Sequence, residues 1–236
     1  MASLLLTIST QAPIHAEYLE AQSIAKALEK ALNNKDISAL RNIVPEEERI
    51  DLASRYKILL AAFPNARWKI EEIEPLKDGR NTLEVSLTGE KVLKGEKYTM
   101  EAMQLIGIKT KDNKIIDKEI FNEQTIIQNG NSPLSININV PNAVLTGTVY
   151  DFDIILNKPL GETIAIGGLI PITKQQIKSQ ISPAIELAPL GGGGLFKSVK
   201  APLQPGVQNW AAVIAHPTGV ISITKMVRIV ELESEI

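Results

Sequence analysis

Apolar residues recur along this chain with two different periods, and the change falls close to Pro64. Within 17–32, Leu19, Ile24, Ala27, Leu28 and Ala31 return at spacings of three to five, which predicts a helix with one apolar stripe, stopped at Asn33-Asn34. Asp36 is placed to cap a short helix carrying Ile37, Leu40 and Ile43. Pro45 interrupts that run and suits the start of the next helix, where Glu46, Glu47 and Glu48 favour the helix dipole. Ile50, Leu52, Ala53, Tyr56, Leu59 and Leu60 mark the expected buried side of this third helix, and Phe63-Pro64 closes it.

Beyond Pro64 the period becomes two. Trp68, Ile70 and Glu71 lead into Ile73 and Leu76, and a turn follows at Asp78-Gly79. Leu83, Val85 and Leu87 then alternate with Thr82, Glu84, Ser86 and Thr88. Two further strands are expected over 96–108 and 114–126, joined by a turn at Asp112-Asn113. Three helices followed by an antiparallel meander predict an α+β arrangement, with helices covering one face of a curved sheet.

The remainder reads as strands, at 134–140, 145–156, 162–169, 184–187, 196–201, 208–215 and 220–230, with one short helix at 173–180. His216-Pro217-Thr218-Gly219 reads as a hairpin turn between the last two strands. Short strands separated by Pro and Gly turns, with no crossover helices, point to a β-sandwich rather than a parallel sheet.

Charge divides the chain in the same place. Residues 1–128 hold 18 Lys+Arg and 20 Asp+Glu, whereas residues 129–236 hold 7 and 7. The polar run from Gln128 to Pro133 reads as a linker, giving two expected domains, 15–128 and 133–232. With 236 residues at 44% hydrophobic the chain can bury a substantial core, and its net charge of -2 offers no basic field for nucleic acid. Cysteine is absent, which removes disulfides, thiolate catalysis and cysteine-ligated metals. No run approaches the roughly 20 apolar residues of a membrane span. The first 16 residues fit three readings: a degraded export signal, implying an extracytoplasmic setting; an ordinary terminus; or a strand packed on the body.

The segment Tyr56-Lys57-Ile58-Leu59-Leu60-Ala61-Ala62-Phe63-Pro64-Asn65-Ala66-Arg67-Trp68 resembles the helix-to-strand corner of the NTF2-like superfamily, in particular its SnoaL-like, polyketide-cyclase-like branch. Asp78-Gly79, Gly95 and Asp112-Asn113-Lys114-Ile115 follow in that family's order, and the likeness covers residues 17–127. The resemblance implies an N-terminal cone with a pocket between sheet and helices, and a homodimer through the sheet. It spans isomerases, cyclases, dehydratases, epoxide hydrolases and small binding proteins, so it leaves activity open. The C-terminal part resembles an immunoglobulin-like sandwich in a generic way, implying a module for a protein partner.

Candidate chemistry is sparse. The corner position that carries Asp in the family is Asn65, which cannot act as a general base, and the N-terminal part has one histidine, His15, ahead of the first helix. Tyr56, Trp68, Met100 and Met103 are the expected wall of a pocket for a small apolar ligand, and the two methionines with Trp68 could instead fill it. In an enzyme reading, a lyase, isomerase or cyclase acting on an apolar carbonyl compound, Tyr56 polarises the substrate and Glu101 moves the proton. Glu101 shares one strand face with Thr99 and Met103 and is the best carboxylate if that face is inward, whereas Glu84 reads as solvent-facing. The pairs Asp117/Glu119 and Asp151/Asp153 lack the ligand-rich loop of a calcium site, and two histidines without cysteine make a zinc site improbable. Gly191 to Gly194 lacks the Lys-Ser/Thr ending of a phosphate loop and reads as a flexible excursion flanked by apolar residues. No metal or cofactor is expected, and the preferred reading is a binding or scaffolding protein.

Overall fold

The computed structural model describes residues 12–130, 134–157, 163–179, 182–191 and 193–236, with side chains from Glu20 onward. The stretch 1–11, the linker residues 131–133 and the side chains of His15 and Leu19 lie outside the described residues.

Helices α1 (Ala12–Asn33), α2 (Ile37–Leu40) and α3 (Arg49–Ala62) come first, with a 3-10 turn at Glu46–Glu48 before α3. Ala21, Ile24, Ala25, Leu28, Ala31 and Leu32 form the buried stripe of α1, and Ala27, expected in it, is exposed. The Asp36 carboxylate accepts the Ala39 amide at 3.0 Å and so caps α2. On α3, Tyr56 is buried and Leu52, Leu59 and Leu60 are half-buried, but Ile50 is 85% exposed. Ile50 lies six residues before Tyr56 in α3, a rotation of about 240° at 3.6 residues per turn, so it points away from the buried side.

Four long strands follow, β1 (Arg67–Ile73), β2 (Asn81–Leu93), β3 (Glu96–Lys111) and β4 (Lys114–Asn129). Asp112 and Asn113 both take positive φ, 54° and 57°, the backbone required of a two-residue hairpin loop. The edge of β1 is closed by α1. The Asn33 side chain donates to Trp68 O at 2.8 Å and accepts from Trp68 N at 3.0 Å, and Glu29 accepts the Ile70 amide at 2.8 Å.

The second half supplies β5 (Ile136–Asn139), β6 (Ala143–Leu145), β7 (Val149–Leu156), β8 (Ile166–Ile172), α4 (Lys174–Ser179), β9 (Ala188–Pro189), β10 (Gly194–Lys200), β11 (Gly206–His216) and β12 (Gly219–Val230). The strand expected over 184–187 is absent, and its nearest counterpart is the two-residue β9.

The expected fold class, an α+β cone followed by a separate immunoglobulin-like sandwich, does not describe this molecule. The chain is mostly β, 51% strand against 21% helix. One antiparallel sheet runs β1-β2-β3-β4-β12-β11-β8-β9, with β6 added in parallel to β12. The residues Gln128 and Asn129, expected in a linker, continue β4 and pair with Ile221 and Val220 of β12. A second sheet, β10-β7-β5, is three-stranded.

Two cores lie on opposite faces of the large sheet. Ile127 packs with the core beneath α1–α3, whereas its neighbour Ile126 packs with the core beneath β10-β7-β5. Consecutive strand residues point to opposite faces, so the helices and the small sheet cover different sides at different ends. In the second core Phe152 and Trp210 meet with ring centroids 5.6 Å apart. Trp210 donates to the Tyr150 hydroxyl at 3.0 Å, and that hydroxyl donates to Gln208 at 2.9 Å.

Candidate functional site

Between the helical layer and β1–β4 lies a cavity of about 340 Å³. Leu32 and Tyr56 of the helices, Trp68 and Ile70 of β1, and Val85 and Ile106 of β2 and β3 are in its wall. Odd-numbered β2 residues and even-numbered β3 residues share the helix-facing side because Val85 pairs with Gln104 and Leu83 with Ile106. The Tyr56 ring lies 5.3 Å from that of Trp68, and its hydroxyl donates to Leu32 O at 2.5 Å. Burial raises the Tyr56 phenol above its ordinary value. That hydrogen bond commits the hydroxyl proton to the protein, so it is not aimed at a bound molecule.

Polar groups gather at the limits of the cavity. Gln104 donates to Glu123 at 3.0 Å. Glu48, Lys118 and Arg55 stand in the wall on the α3 side, where Lys118 pairs with Glu48, and Arg55 bonds Asp51 at 2.8 Å. Glu72 also faces the helical layer, and burial raises its carboxyl above the ordinary range, but it is outside the residues lining the cavity.

Among the residues expected at the site, Tyr56 and Trp68 meet in the cavity wall. Met100 is buried in the same core, beside Phe63 and Gly89, away from the lining. Met103 and Glu101 fall on the opposite face of β3, and Glu101 is exposed. The sheet therefore separates Glu101 from Tyr56, and the two cannot act on one substrate. Glu84 is on that same far face, opposite Leu105. His216 lies at the tip of the β11–β12 hairpin, bonding Thr218 at 2.8 Å and Thr163 at 3.0 Å. Asp117 pairs with Lys109 at 3.1 Å and Asp151 accepts from Ser198 at 2.7 Å. Among the described residues no three His, Cys, Asp or Glu side chains gather where a metal ion could be held. No helix there is long and apolar enough to cross a membrane.

A second polar cluster marks where β4 and β12 part. Their pairing ends at Gln124 and Lys225, and β12 then takes β6 as its neighbour. A bulge in β4 between the partners of Leu105 and Ile106 turns out Phe121, and two guanidinium groups lie over its ring, Arg80 at 4.9 Å and Arg228 at 4.3 Å. Glu119 bonds Arg80 at 2.8 Å and lies 3.6 Å from Arg228. Nearby, Lys225 is buried, with its ammonium donating to Asn122 at 2.5 Å and Asn142 at 2.6 Å. Burial without a facing carboxylate lowers its pKa to about 8. Sequence reading missed this lysine, although it shares parity with the buried Ile221, Ile223, Val227 and Ile229.

Cavity and fold thus define a mostly-β protein with an apolar pocket under its helical layer. Similarity to known families lies elsewhere in the chain. A family model described as a domain of unknown function (DUF8623) matches residues 131–230, which is β5 to β12 and not the cavity. A comparison with the curated proteins gives no match.

Proposed function

We propose that this chain is a non-catalytic binding protein that holds a small, largely apolar ligand between α1–α3 and β1–β4. The observation that carries this reading is the cavity itself. Its volume of about 340 Å³ lies within the range of roughly 300–1,000 Å³ usual for small-molecule sites, and its wall is predominantly apolar. Its one buried hydroxyl is already bonded to the backbone, and the carboxylate once expected to work with it lies across the sheet.

Calorimetric titration with decanol tests the cavity. Saturable binding that disappears in Ile106→Trp, whose side chain would occupy the space, is the expected result, provided the variant retains a cooperative thermal transition. Decanol binding of unchanged strength in that folded variant would remove the cavity from the account.

A further inference from the structure

Charged residues border the apolar cavity on its α3 side. Arg55 and Lys118 stand in its wall and also in the wall of a wider, open groove of about 810 Å³. The groove runs over Ile120 of β4, Met226 of β12 and Asn209 of β11, and α4 borders it with Lys174 and Lys178. These two lysines are exposed and four residues apart, and neither has a carboxylate partner among the described residues. Like charges at that spacing are unfavourable in a helix, so the pair contributes no local stability there. The acids in the groove, Glu119, Glu231 and Glu235, are not shared with the cavity, and Glu119 is held by Arg80 and Arg228.

Resting on the binding reading above, we infer that the cavity and the adjoining groove, which share Arg55 and Lys118, together take a single-chain amphiphile with a carboxylate head, of the medium-length fatty-acid class. The tail fills the cavity beside Tyr56 and Trp68. The head lies among Arg55, Lys118, Lys174 and Lys178, where guanidinium and ammonium groups supply charge-assisted hydrogen bonds. The Asp51 and Glu48 carboxylates hold Arg55 and Lys118, so among the described residues the α4 lysines are the groove cations without an ion-pair partner.

The test compares decanoate with decanol by calorimetry on the full chain, at low and high salt. Decanoate is expected to bind roughly tenfold tighter than decanol at low salt, with the difference shrinking as salt rises. A variant carrying Lys174→Gln and Lys178→Gln, both at exposed positions, should weaken decanoate about fivefold and leave decanol unchanged. Equal affinities for the two ligands, or a double variant that binds decanoate as the parent does, would overturn the amphiphile assignment while leaving apolar binding in place. Failure of both ligands to bind would overturn the binding reading with it.

Discussion

Lys225 is the residue at which composition and environment disagree most. Its ammonium is out of water and faced by two amide oxygens rather than by a carboxylate. Its folded pKa of about 8 is below the ordinary lysine value, so the unfolded chain binds the proton more tightly. Stability is therefore reduced at neutral pH, where both states are protonated. It rises as pH increases from about 8 toward the ordinary lysine pKa of about 10.4, because there only the unfolded state retains the proton. Urea midpoints measured from pH 8 to pH 10 should rise in the parent and stay flatter in Lys225→Met; parallel profiles would contradict a buried ammonium. Phe63 tests the other core in a simpler way. It is 3% exposed, and Phe63→Ala should cost about 3–5 kcal/mol in denaturant unfolding. Individual burial was partly legible in sequence. Tyr56 was placed on the buried side of α3 by periodicity, but Ile50, grouped with it, lies well off that stripe at 3.6 residues per turn and is exposed.

At the level of elements, two contacts fix how strands begin and join. Asn33 links α1 to the open edge of β1 with two hydrogen bonds, so Asn33→Ala should destabilise by about 1–3 kcal/mol, read as a shift in urea midpoint. At the join of β4 with β12, a Cβ on Gly219 would lie 2.1 Å from Asn129 O. Gly219→Ala should accordingly cost about 1–3 kcal/mol, and a midpoint equal to the parent's would contradict the close approach of those strands. The strands 83–87 and 114–126 were readable because alternation and turn residues are local signals. The extension of β4 to Asn129 was not. Gln128-Asn129-Gly130 has turn-forming composition, yet its hydrogen-bond partners come from β12, about ninety residues later. The bulge that turns out Phe121, and with it the Arg80–Arg228 stack, likewise depends on pairing and leaves no local trace.

For the whole molecule, the continuous sheet changes what the two halves are to each other. Six residue pairs join β4 to β12, and each core rests on one side of that shared sheet. The charge contrast between the halves was correctly visible, but partner choice between distant strands is not encoded in periodicity, so continuity was missed. The same limit applies to the cavity. Tyr56 and Trp68 were legible as neighbours of a pocket, whereas the face on which Glu101 lies required the β2–β3 register. The central claim is that the space under α1–α3 holds an apolar ligand, and its most direct test is a crystal grown with a medium-chain alcohol carrying a terminal bromine. An anomalous bromine peak is expected inside the cavity, among Tyr56, Trp68, Val85 and Ile106. A peak confined to the molecular surface or to the core beneath β10-β7-β5, with the cavity empty of ligand density, would contradict it.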